Sequence, residues 1–172
     1  FERALPRIVS IVEEPIAASS IVPMYYVCQR ARQDVKVALV GQGPDELFGG
    51  YTRHLGVQYG AQWRRMPAWL QRALGAGVER LPRNEALKRG VHALAVGDRL
   101  ERHRDVFSLM PGDEVDALFR SGVLPAGAGD RVLDFWSELA PEMEGADELG
   151  AFQVLELRSS LPDELMLYAD KI

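Results

Sequence analysis

Two adjacent carboxylates, Asp45 and Glu46, stand between the glycines Gly41 and Gly43 and the pair Gly49-Gly50, in a run that ends at Tyr51. Glycines before the acids let a ligand approach the backbone, and Pro44 can open a helix whose free N–H groups attract anions. Carboxylates in a first helical turn complement the helix dipole. Beside a phosphate they would also hold Mg²⁺, which takes one or two carboxylates plus phosphate oxygens. Gly49-Gly50 fits poorly inside a helix, where each glycine costs about 0.8 to 1 kcal/mol relative to alanine, so close packing or close ligand approach is expected there. The residue types thus point to a site for phosphate and a divalent metal.

The element that must deliver this loop is the segment Val35-Lys36-Val37-Ala38-Leu39-Val40, in which five of the six residues are apolar. That is the pattern of a strand covered on both faces in a parallel sheet, and ligands collect beyond the carboxyl ends of such strands. One strand near 35–40 is expected, with its sheet neighbours supplied from elsewhere. The rest reads as helix: 2–13, with Pro6 near its start, 21–32 with Ser20 as N-cap, 45–60, 67–74, 84–96, 98–109, 112–121, 131–139, 147–159 and 161–171. The 122–129 stretch reads as a surface loop.

The run from Gly41 to Tyr51, G-x-G-x-D-E-L-F-G-G-Y, resembles the signature of the asparagine synthetase family, usually S-G-D/E-G-x-D-E-L-F-G-G-Y. Two flanks agree. Glu13-Glu14-Pro15-Ile16-Ala17-Ala18-Ser19-Ser20-Ile21-Val22-Pro23 is similar to the family's D-E-P-x-A-D-x-S-x-x-P, and the stretch from Leu161 to Lys171 is similar to L-P-D-D-L-L-x-K-x-D-R. Residues 58–150 carry no matching motif. The resemblance implies an α/β parent domain of the adenine nucleotide α-hydrolase-like, ATP pyrophosphatase type. Residues 1–172 would be a mostly α-helical part of that one synthetase domain. The family's S-G-G-x-D-S pyrophosphate loop and its amino-terminal glutaminase domain are not in this sequence, so the chain alone is expected to be inactive.

Carried over residue by residue, the resemblance implies that Val40, Gly41 and Gly43 form the backbone wall that meets the adenylate. Asp45 would bind Mg²⁺ and pyrophosphate, with Glu46 supporting it. The implied reaction activates aspartate with ATP to a β-aspartyl-AMP, which ammonia from glutamine then attacks. The resemblance also allows a homodimer. Two positions depart from the pattern. Val40 replaces a hydroxyl residue but keeps its backbone groups, and Gln42 stands where the family has an acid. An amide cannot take up a proton, so general-base chemistry at Gln42 is excluded. Either Gln42 positions the nucleophile by hydrogen bonding, or another base serves, or amidation is lost. The alternatives to asparagine synthesis are a related amide-forming ligase acting on another carboxylate, as in the β-lactam synthetases, and a noncatalytic paralogue.

The sequence has 47% hydrophobic residues, enough for one domain-sized core, and no apolar run of membrane-spanning length, so a cytoplasmic protein is expected. Cys28 is the only cysteine, which rules out an internal disulfide, and it reads as a core thiol on a face with Met24, Val27 and Ala31. Charge is segregated: residues 53–104 carry eleven basic and four acidic side chains, residues 105–172 four and fifteen. With a net charge of −5 and no nucleic-acid motif, the expectation is that basic and acidic helical faces meet each other or another domain, rather than nucleic acid. His103 is expected at an interior or boundary position on a stripe with Leu100, Phe107 and Met110. His54 is expected at the surface, His92 lacks metal-ligand spacing, and Trp63, Trp69 and Trp136 read as core or interface anchors.

Overall fold

The computed structural model describes residues 2–16, 18–82, 85–108, 117–119, 123 and 131–172. Its helices in chain order are α1 (Leu5–Val12), α2 (Ile21–Ala31), α3 (Pro44–Phe48), α4 (Thr52–Arg65), α5 (Ala68–Glu79), α6 (Glu85–Ala95), α7 (Arg99–Phe107), α8 (Arg131–Glu138) and α9 (Glu148–Leu155). A 3₁₀ turn at Ala140–Met143 precedes α9, a π-helical segment over Glu156–Met166 follows it, and α10 (Leu167–Lys171) comes last. The chain divides into two compact units, one of residues 1–50 with 155–172 and the other of residues 51–154.

In the first unit, α1 places Ile8 and Val12 one turn apart on a buried face, and α2 adds Ile21 and Tyr25. With Ala4 and Tyr168 these form one apolar cluster, flanked by Ile11, Ile16, Val22, Met24 and Leu165. The buried stripe of α2 therefore runs through Ile21 and Tyr25. Cys28 is only half-buried and Val27 is exposed, which corrects the expected face by about one residue's rotation. Helix α1 ends at Glu13 in the left-handed region, φ 64°, and the Glu13 carboxylate accepts from Lys171 Nζ at 2.9 Å.

No strand forms among the described residues. The 35–40 segment has no ladder partner, and its apolar side chains face solvent, Leu39 at 98% exposure. The expected strand is not confirmed: a strand gains its stability from neighbours, and none is described beside this segment.

The expected 45–60 helix is two helices. Gly49 adopts φ 72° and closes α3, and Tyr51, extended at φ −84° and ψ 148°, opens α4. Conversely, the break expected near residue 160 does not occur. Pro162 lacks an N–H and its ring crowds the carbonyl four residues back, and the chain accommodates it by widening into the π-helical segment rather than stopping. The 112–121 helix, the 122–129 loop and Met110 fall largely outside the described residues.

In the second unit, Phe152 is fully buried, stacked on Phe107 with ring centroids 4.7 Å apart, and meets His103 and His54 edge-on at 5.1 and 5.8 Å. Trp136 packs on Phe107 at 5.5 Å. Trp63 is half-buried, and Trp69 is exposed among the described residues. His54 is buried, not at the surface: its Nδ1 accepts the Tyr51 backbone N–H at 3.2 Å, satisfying a free donor at the start of α4. Gly60 lets α4 approach α6, since a Cβ there would lie 2.8 Å from Leu94 Cδ2. No helix among the described residues is long and apolar enough to cross a membrane.

Candidate functional site

The glycine and acid loop lies within the first unit, and its glycines have different physical reasons. Gly43 takes φ 102° and ψ −35°, a conformation hostile to L side chains, and leads directly into Pro44 and α3. A Cβ on Gly43 would also meet the Leu161 methyls at 3.9 Å, so the loop rests on the π-helical segment. Gly50 has no positive φ but lies under Asp45: a Cβ there would sit 2.0 Å from Asp45 Oδ1 and 3.2 Å from Asp45 Cα. The Gly50 N–H donates to the Asp45 carbonyl at 2.9 Å, tightening the same turn. Gly41 is unlike the others, with no positive φ and nothing within 4 Å of an added Cβ.

Neighbours on a helix point about 100° apart, and the two acids separate accordingly. Asp45 is at the surface, whereas Glu46 is buried at 1% exposure. Among the described residues no three His, Cys, Asp or Glu side chains gather as a metal cage. Asp45 by itself would suit a cation that brings most of its own ligands, as Mg²⁺ does on a nucleotide. Val40 and Gly41 are exposed, Gln42 is half-buried and Gly43 is buried.

Sequence reasoning missed Tyr168. Its hydroxyl lies 3.0 Å from Ser20 Oγ and receives Gln42 Nε2 at 3.4 Å. Ser20 occupies the expected N-cap position of α2, but its side chain makes no cap and turns to Tyr168 instead. One phenol thus joins the three stretches that carry the resemblance. The available signal was that Tyr168 stands at the Lys of L-P-D-D-L-L-x-K-x-D-R, a neutral residue for a charged one, just as Gln42 does at the acid of the signature.

The asparagine synthase family model matches residues 1–172. The chain belongs to the asparagine synthase family. Its parent fold is therefore the adenine nucleotide α-hydrolase-like type, of which the described residues are the helical part. A Mycobacterium bovis protein named "Putative asparagine synthetase (glutamine-hydrolyzing)" is 33% identical over 175 residues, spanning 100% of this chain and 26% of that relative. Its Mycobacterium tuberculosis H37Rv counterpart gives the same figures. "Asparagine synthetase (glutamine-hydrolyzing) 1" of Bacillus subtilis is 39% identical over 70 residues, 41% of this chain and 11% of the relative. The chain spans about a quarter of the length of the mycobacterial relatives. No solved structure matches.

In the second unit, Arg64, Arg99 and Arg102 meet one acid, Glu148. Glu148 in the first turn of α9 receives Arg102 Nη2 at 3.0 Å and lies 3.3 Å from Arg64 Nη2 and 3.6 Å from Arg99 Nε. Arg102 also donates to the carbonyls of Val96, Gly97 and Asp98 just past α6, where a cation is favoured. Burial works to raise the Glu148 carboxyl, but the Arg102 hydrogen bond and the charges of Arg102, Arg64 and Arg99 outweigh it and hold it below its ordinary range. His103 is interior, as expected, and burial lowers it to about 4, so it is neutral at pH 7. For Arg64, the expectation that basic and acidic faces meet each other is met here.

Proposed function

We propose that the protein to which these residues belong is an amide-forming ligase that activates aspartate with ATP and transfers glutamine-derived ammonia to it, and that this chain supplies one wall of the synthetase site. The observation that carries this reading is family membership over residues 1–172 together with a loop in which Gly43 and Gly50 are required for backbone path and for the seating of Asp45. Activation passes through a β-aspartyl-AMP: a carboxylate oxygen attacks the α-phosphate and pyrophosphate leaves. Val40, Gly41 and Gly43 line the adenylate side through backbone, and the exposed Asp45 faces the pyrophosphate side. Mg²⁺, when bound with the nucleotide, would neutralise charge on the departing phosphate oxygens. Glu46, buried at 1% exposure, would support this site from within the turn.

Gln42 favours a second reading within the same chemistry, in which the activated carboxylate or the acceptor amine differs from those of asparagine synthesis. Full-length protein incubated with ATP, Mg²⁺, glutamine and aspartate, with pyrophosphate and asparagine followed together, separates these readings. Both products support asparagine synthesis, and pyrophosphate without asparagine points to another acceptor. No pyrophosphate with any carboxylate tested identifies a noncatalytic paralogue. Asp45→Asn is expected to abolish pyrophosphate formation while glutamine hydrolysis persists, and unchanged turnover would remove Asp45 from the mechanism.

A further inference from the structure

We propose that Tyr168 is a positioning residue that fixes the side-chain amide of Gln42, so that Gln42 offers its carbonyl oxygen Oε1 to the attacking amine. The inference rests on the amide-forming reading above and concerns how the nucleophile is held.

The geometry starts with hydrogen-bond valence. A phenol has one donor hydrogen and acceptor lone pairs. Gln42 Nε2 donates to Tyr168 Oη at 3.4 Å, and the Tyr168 and Ser20 hydroxyls pair at 3.0 Å with either as donor. Tyr168 is a rigid anchor, since it is 1% exposed and its ring belongs to the apolar cluster of Ala4, Ile8, Val12, Ile21 and Tyr25. Ser20 forgoes a helix cap to complete the chain. A glutamine side chain has three rotatable bonds, and a fixed partner at Nε2 selects one orientation of its amide plane. Oε1 then lies on the far side of the amide carbon from Tyr168.

Oε1 is an acceptor and not a base. Ammonia carries three N–H donors and one lone pair, so an N–H bound to Oε1 turns the lone pair away from Gln42. In the reaction, that lone pair forms the new C–N bond at the acyl carbon of the acyl adenylate. The acyl C–O bond to the phosphate breaks, AMP leaves with the bonding electrons, and one proton from the new amide nitrogen passes to solvent. Nothing in this balance requires Gln42 to hold a proton, which is how an amide serves where the signature has an acid. Of the roles left open by the sequence, the Tyr168 contact favours positioning by hydrogen bonding.

The test uses the full-length protein with ammonium chloride as nucleophile, bypassing glutamine hydrolysis. Pyrophosphate release with ATP and aspartate is measured without amine, and amide formation is measured across ammonium concentrations. Tyr168→Phe is expected to raise the ammonium KM about tenfold while amine-independent pyrophosphate release falls much less. Gln42→Leu is expected to show the same split. The double variant should be no worse than Gln42→Leu alone, because Tyr168 acts through Gln42. Ser20→Ala keeps the aromatic ring in the core and tests the chain if Tyr168→Phe folds poorly, with a several-fold rise in the same KM. An unchanged ammonium KM in Tyr168→Phe or in Ser20→Ala, an equal loss in both half-reactions, or fully additive losses in the double variant would overturn the inference. Absence of pyrophosphate from the wild-type protein would instead overturn the amide-forming reading on which it rests.

Discussion

Replacing Gly50 with alanine separates the fold of the loop from its chemistry. The added Cβ would lie 2.0 Å from Asp45 Oδ1 and 2.9 Å from its Cγ, against an ordinary carbon–oxygen contact above about 3 Å. The carboxylate must therefore swing away by at least about 1 Å. Asp45 is exposed, so the swing costs about 1 kcal/mol as a rotamer change. The third contact, 3.2 Å to Asp45 Cα, is backbone and yields by only a few tenths of an ångström. Loss of stability should total roughly 1 to 2 kcal/mol, the lower part of the overpacking range. Function should suffer far more, because displacing a charge-positioning group by about 1 Å can cost on the order of a hundredfold in rate. Urea unfolding and pyrophosphate release by the intact protein measure the two effects. Asp45→Ala combined with Gly50→Ala removes the side-chain clash, so stability should recover by more than additivity allows while pyrophosphate release stays lost. Normal pyrophosphate release in Gly50→Ala would refute the reasoning, as would a stability loss that the double variant leaves untouched.

Gly43→Ala, forced to hold φ 102°, should cost about 2 kcal/mol in urea unfolding, whereas Gly41→Ala should leave stability unchanged, since no described atom lies within 4 Å of an added Cβ, and should weaken ATP binding where the proposed adenylate wall is approached. An equal stability loss in the two would contradict this. Glu148→Gln leaves the buried Arg102 guanidinium, its side chain 5% exposed, without its carboxylate and should cost about 2 kcal/mol, discounted because Glu148 itself is 21% exposed. Acid should destabilise the second unit in the same region. His103 is lowered from 6.5 to about 4, so the unfolded chain binds the extra proton between those values, and stability present above pH 6.5 is lost on descending toward pH 4. The loss is about 2 kcal/mol between pH 7 and pH 5, and His103→Leu should flatten that slope of stability against pH. Glu148, also depressed, adds to the loss as pH falls through its lowered value.

Helical period made α1, α2 and α6 to α8 legible, because in each an apolar face recurs every three or four residues between proline, glycine or capping residues. The errors fall where tertiary contacts overrode local signals. A proline normally ends a helix, yet Pro162 sits inside a π-helical segment, and nothing in composition distinguishes a stop from a widening. His54 looked like a surface residue because its Nδ1 bond to the Tyr51 backbone exists only once α4 has formed. The site was legible as a motif and not as an arrangement. Sequence put Asp45 and Glu46 together, whereas the helix turns one outward and the other inward. The Tyr168 contacts were not legible, because its hydrogen-bond partners lie 148 and 126 residues away, and only its departure from the motif's Lys marked the position.

The charge segregation along the chain has a structural use that its net value conceals. Arg64 at the end of α4 and Arg99 and Arg102 in α7 all converge on Glu148, so a single acid from the acidic third of the sequence organises basic residues from two helices. Two of those guanidiniums have other acceptors as well: Arg102 holds the carbonyls after α6, and Arg99 donates to the carbonyls of Ala146 and Asp147 immediately before α9. Each arginine is therefore partly redundant for its neighbours, while Glu148 is shared by all three. Removal of one arginine still leaves the carboxylate two cations, but removal of the carboxylate leaves three guanidiniums repelling one another beside a buried, neutral His103. The asymmetry makes Glu148 the centre of this cluster of Arg64, Arg99 and Arg102.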